Sequence, residues 1–146
     1  MKSTSTWVLV ADEAIARILE QPQAGAELVP VEELTDPDAH ATESELHHGP
    51  HGRRGTNATV SAGDSERHQH AKLFAGRIAE RLAHHHRDRR FDELHVVAAP
   101  RLLGLLRGAI ETGVWATVVS TLDKDLVKES NADLTRRLFG WRSAAT

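Results

Sequence analysis

Trp7-Val8-Leu9-Val10-Ala11 is a run of apolar, β-prone residues, and Asp12-Glu13 follow it as turn formers, which predicts a first strand closed by a tight turn. In the segment Ala14 to Leu19, the sets Ala14, Ala16, Ile18 and Ile15, Arg17, Leu19 suit either a short helix or a two-faced strand, and the short connection to the first run favours a strand as hairpin partner. Pro22 and Gly25 punctuate the chain, and Leu28-Val29-Pro30-Val31 predicts a third strand. Proline cannot donate to a ladder, so this strand belongs at a sheet edge.

Between residues 35 and 64 the aliphatic signal nearly vanishes, while Pro37, Gly49, Pro50, Gly52, Gly55 and Gly63 accumulate, which predicts a long polar loop. Ser61 and Asp64 stand at capping-box spacing, and Ala71, Phe74, Ala75, Ile78 and Leu82 recur at helical period, so a long helix should start near Ser61 to Glu66. Leu94 to Ala99 is almost continuously apolar, as expected for a central strand covered on both faces. Pro100 suits a first helical position, Leu102, Leu103, Leu105, Leu106 and Ile110 make its inward face, and Gly113 can close it. Val114 to Val119 reads as another strand, Asp123-Lys124-Asp125 as a polar loop, and Ser130 with Asp133 as the capping box of a last helix stopped by Gly140.

The predicted class is α/β, a ribonuclease-H-like mixed five-stranded sheet of order β-β-β-α-β-α-β-α flanked by helices, built as a single domain over residues 1–146. Its first, fourth and fifth strands should be parallel neighbours. A plain doubly wound fold is the alternative.

Composition narrows the functional classes. The 146 residues carry 18 Lys+Arg against 21 Asp+Glu, a formal net charge of -3, which argues against global charge-driven binding to nucleic acid or membrane and leaves local basic patches as candidates. No apolar run approaches the roughly 20 residues of a membrane span, and residues 1–6 lack the apolar core of a secretory signal, so a cytoplasmic location is expected. The absence of cysteine removes thiol nucleophiles and disulfides, and neither a nucleophile elbow nor a P-loop occurs.

Two sets of residues carry the candidate chemistry. If the parallel strands align, their carboxyl ends bring Asp12, Arg101, Asp123, Lys124 and Asp125 to one rim, beside the free N–H groups of the helix opening at Pro100; this is a candidate anion or ligand site. The ordinary alternative is that Arg101 and Lys124 pair with Asp12 and Asp123 to tie the loops down. The same carboxylates suggest a two-metal nuclease, but the central strand ends in Ala98-Ala99-Pro100 where another oxygen ligand would be wanted. The second set is basic: Arg53, Arg54 and Asn57 in the loop, and Arg87, Arg89 and Arg90 at the end of the long helix, are candidate RNA contacts. Ten histidines include His47, His48 and His51, and the run His84-His85-His86; neighbours on a helix point apart, so neither a metal site nor a cofactor is expected.

Trp7 to Asp12, Phe91-Asp92, the stretch Ala99-Pro100-Arg101-x-Leu103-Gly104-x-Leu106-Arg107, and Leu122-Asp123-Lys124-Asp125-Leu126 together resemble the bacterial host attachment protein family, named for a protein required for attachment to host cells. That family in turn resembles the middle domain of archaeal and eukaryotic peptide-chain release factors, whose loop before the long helix bears a Gly-Gly-Gln tip. Here His51-Gly52-Arg53-Arg54-Gly55 occupies the comparable place without that tip. The resemblance implies a non-catalytic binding module that contacts RNA or the ribosome through the 35–64 loop. A hydrolase acting on a phosphoester or on peptidyl-tRNA is the alternative.

Overall fold

The computed structural model describes residues 4–36 and 56–140, with side chains in the second stretch described from residue 66 onward. Five strands form one sheet: β1 (Thr6–Ala11), β2 (Ile15–Gln21), β3 (Val29–Thr35), β4 (Glu93–Ala98) and β5 (Val118–Leu122), in the order β3-β2-β1-β4-β5. β1 runs parallel to β4 and β4 parallel to β5, while the β1-β2-β3 meander is antiparallel. The mixed α/β sheet is therefore as expected, with β3 and its Pro30 at one edge. The most central strand is β1; β4, expected there, is its neighbour, and β5 closes the other edge.

Alternation along β1 explains the layering. Trp7, Leu9 and Ala11 point to the face covered by the helices α1 (Thr56–Arg87) and α2 (Pro100–Ala109), whereas Val8 and Val10 pack with Leu126, Val127 and Leu134 on the opposite face. That second face is covered by α4 (Asn131–Phe139) and the segment leading into it. β1 is thus buried on both sides, which is why its sequence reads as an unbroken apolar run. Phe74, Ala75, Ile78 and Leu82 are buried against the first face and Ala71 is buried as well, and each large apolar side chain so hidden contributes about 1.5–3 kcal/mol.

Three boundaries differ from the sequence-based expectation. Helix α1 begins at Thr56, so residues 56–64 are helical and the expected 35–64 loop is shorter at that end; residues 37–55, with Arg53 and Arg54, lie outside the described residues. Helix α2 ends at Ala109, where Ile110 turns to extended backbone, and Gly113 sits inside a one-turn helix, α3 (Thr112–Trp115). The strand expected at Val114 starts only at Val118. Val114 is drawn into the core as part of that turn, which Trp115 N–H fastens to the Glu111 carbonyl at 2.9 Å and which the Thr117 hydroxyl closes on the Val114 carbonyl at 2.6 Å. Elsewhere the end signals hold: Ser130 Oγ accepts from Asp133 N–H at 3.0 Å, and Gly140, at φ 74°, stops α4.

Candidate functional site

At the carboxyl ends of the parallel strands the carboxylates serve mostly the backbone. Asp12 Oδ1 accepts from the N–H groups of Ala14 and Ile15, both at 2.8 Å, which shapes the β1–β2 turn. Asp125 Oδ1 accepts from Val127 N–H at 3.3 Å in the same manner. Arg101 meets Glu13, Nε to Oε2 at 3.7 Å, rather than Asp12, so the loop tie expected of it exists with a different partner. Asp123 and Lys124 are exposed beyond the end of β5. Topology brings the five residues to one end of the sheet, and α2 opens there on Pro100 with no side-chain cap. Among the described residues no three His, Asp or Glu side chains gather as a cation site.

The opposite end of the sheet, where β1 and β4 begin, is basic. Helix α1 terminates there in His84-His85-His86-Arg87, and Arg89 and Arg90 follow at once. Arg89 adopts φ 58°, the left-handed conformation in which a helix commonly ends on glycine, and its N–H reaches the His86 carbonyl at 2.9 Å. Beneath the turn, Phe91 stacks on Trp7 with ring centroids 5.1 Å apart, and the Arg90 guanidinium lies over the Trp7 ring at 5.7 Å. Arg87, Arg89 and Arg90 are all exposed, and none has an ion pair among the described residues; the nearby His84 faces Asp88 at 3.6 Å. The packed aromatic pair fixes where the chain turns, and the turn fixes where the guanidinium groups project.

The RNA-contact candidates are thereby divided. Asn57 is in the first turn of α1 and Arg87 in its last, thirty positions apart, which at a rise of about 1.5 Å per residue separates them by about 45 Å. They belong to opposite ends of one long helix, and only an extended ligand could touch both.

Three further constellations escaped the sequence reading. His85 is buried at 5% exposure, and its Nε2 lies 2.8 Å from Glu32 Oε1, while Arg81 Nε donates to Glu32 Oε2 at 2.9 Å. Partial burial works to raise the Glu32 pKa, but hydrogen bonds from His85 and Arg81 and the Arg81 charge prevail and hold it below its ordinary value. His85 continues the inward stripe of Ile78 and Leu82 by one more helical step, a signal that could have placed it. Next, Arg17 on β2 donates to the carbonyls of Val127 and Glu129 at 2.7 and 2.8 Å and to Asn131 Oδ1, tying β2 to the segment that enters α4. Its partners are more than a hundred positions away, so no local pattern reveals them. Lastly, a bulge between Leu94 and His95 pairs Leu94 with Val118 and His95 with Ser120, leaving Val119 out of the pairing and 52% exposed. His95 Nδ1 and Ser120 Oγ are then 2.6 Å apart, the ring edge meets Phe139, and burial lowers the His95 pKa against the opposing charge of Glu93.

The architecture defines a mixed α/β protein whose sheet is covered by helices on both faces. The family model described as "protein required for attachment to host cells" matches residues 7–138, and the chain belongs to that family. No curated protein matches it. No helix among the described residues is long and apolar enough to cross a membrane.

Proposed function

We propose that this protein is a non-catalytic, cytoplasmic binding module of the host attachment family, acting as one domain, and that it contacts RNA, free or within the ribosome, through the basic end of α1. The observation that carries this reading is the set Arg87, Arg89 and Arg90: three exposed guanidinium groups where α1 ends and the chain turns, without ion-pair partners among the described residues. Arg89 keeps a guanidinium in a left-handed position that glycine would adopt with less strain, which favours a use for its charge. Guanidinium groups match phosphate oxygens in planar pairs, and a negatively charged chain would use such a patch locally rather than by net attraction. Arg53, Arg54 and Asn57 would extend the contact along a long ligand such as a structured RNA. The kinship to release-factor middle domains that the sequence resemblance implies is consistent with a ribosomal partner. In the same reading the carboxyl-end rim ties loops together, because Asp12 and Asp125 each give an oxygen to nearby backbone N–H groups.

Co-sedimentation of the purified protein with ribosomes and filter binding of tRNA, each over a salt series, test the proposal. Salt-sensitive retention that weakens in an Arg87→Ala/Arg89→Ala variant supports it, and retention that is absent, or indifferent to both salt and substitution, refutes it.

A further inference from the structure

Helices α1 and α2 lie side by side over the sheet, and their outer surfaces leave an open groove of about 1050 Å³ between them. Glycine in the interior of a helix costs about 1 kcal/mol relative to alanine, yet Gly76 of α1 and Gly104 and Gly108 of α2 all line this groove. A Cβ added to any of the three would meet nothing within 4 Å beyond the neighbouring backbone of its own helix, so packing against the rest of the molecule does not call for glycine there. What the glycines do provide is a low floor against which another backbone could approach closely. Leu73 stands in the same groove with 66% of its surface exposed.

The charges around Gly76 indicate the occupant. Lys72 lies one turn before it and Glu80 one turn after it, both exposed, both in the groove and neither in an ion pair among the described residues. Consider a two-fold axis passing by Gly76 and relating antiparallel copies of α1. Each residue then faces the one equally far on the other side of Gly76: Lys72 faces Glu80 of the second copy, Glu80 faces its Lys72, and Leu73 meets the small side chain of its Ala79. An isologous contact must be complementary to itself in this way, and a parallel arrangement would instead oppose Lys72 to Lys72.

We propose that the α1–α2 groove is the interface of a homodimer, occupied by α1 of a second copy crossing antiparallel at Gly76. The matched seam runs from Lys72 to Glu80, about two turns short of Arg87 at the far end of the same groove, so Arg89 and Arg90 lie beyond it and the dimer would present two basic ends, one from each copy.

Analytical ultracentrifugation over a concentration series tests this, with circular dichroism as the check on folding. A concentration-dependent dimer is expected. Lys72→Glu and Glu80→Lys should each weaken it about tenfold or more, and the doubly swapped chain should recover the original affinity, because only the swap restores opposite charges across the axis. Since the chain has no cysteine, Gly76→Cys gives a second, independent readout: oxidation should link two copies through that single position. A wild-type monomer at every concentration overturns the proposal. So does a dimer that neither single charge change weakens and that Gly76→Cys does not cross-link.

Discussion

His85 Nε2 and Glu32 Oε1 are 2.8 Å apart, and this contact joins the last turns of α1 to the edge strand β3. Glu32 also takes the Arg81 guanidinium on its other oxygen, so one carboxylate binds two side chains set one helical turn apart. The ring of His85 in turn meets the edge of Trp7, with centroids 5.0 Å apart. The triad therefore anchors the end of α1 on which the exposed arginines stand.

The Glu32 carboxyl is held below its ordinary value of 4.5, so its ionised form is favoured in the folded state. Its contribution to stability is fully present above that unfolded value and is lost as pH falls through the lower folded value. Glu32→Gln should cost about 1–2 kcal/mol at neutral pH, as for other hydrogen bonds to charged groups, and the deficit relative to wild type should shrink below about pH 4.5. Urea denaturation of both proteins at a series of pH values checks the sign and the window.

His95 behaves in the opposite chemical sense with the same dependence on pH. Burial disfavours its charged form, so its folded pKa lies below the ordinary 6.5, and protonation is resisted until the pH is lower than an unfolded histidine would need. Below about pH 6.5 the unfolded chain binds the proton more readily, and stability should decline as pH falls. Histidine resonances followed by NMR should show His95 titrating below the ordinary 6.5, and Ser120→Ala should perturb the same resonance by removing the hydroxyl beside Nδ1.

Arg17 supports the entry into α4 by holding two carbonyls and the Asn131 side chain. Lysine cannot reproduce this fork of donors, so Arg17→Lys should cost about 2 kcal/mol despite keeping the charge. The loss should appear in chemical denaturation, and hydrogen exchange should locate the loosening at residues 126–134.

Much of the fold was legible because it depends on local, periodic signals. The apolar run of β1 with its short link to β2, Pro30 on an edge, Pro100 opening α2 and the Ser130–Asp133 cap are each written within a few residues. The misread boundaries share a cause: tertiary context decided them. Val114-Trp115 carries strand-forming side chains, yet the chain turns there, with Val114 buried and Trp115 beneath the Arg107 guanidinium at 5.5 Å. The start of α1 is rich in Thr, Asn, Ser and Gly, weak helix formers that mask the first turns of a helix of 32 residues. At the candidate site the basic turn was visible as composition, but its support was not. Trp7, Glu32, His85 and Phe91 come from three separate stretches of chain, and only folding assembles them.

Arg89 offers a way to separate folding from binding. At φ 58° an arginine is strained where glycine is at ease, so Arg89→Gly should leave the protein as stable or raise its stability by up to about 1 kcal/mol. If the guanidinium serves an anionic partner, the same substitution should weaken RNA binding. Thermal melting and fluorescence anisotropy on one sample would reveal opposite movements of stability and affinity.

The salt dependence of RNA affinity tests the binding surface most directly. Fluorescence anisotropy of a labelled RNA should give a logarithmic plot against salt with a negative slope, and Arg87→Ala/Arg89→Ala should reduce the magnitude of that slope by about 1.4, or roughly 0.7 for each phosphate of a single strand that is no longer neutralised. This double variant leaves Arg90 in place over Trp7, so the packing of the turn is retained. Affinity that does not change with salt, or a slope identical in the variant and the wild type, would contradict the assignment of the basic end of α1 as the binding surface.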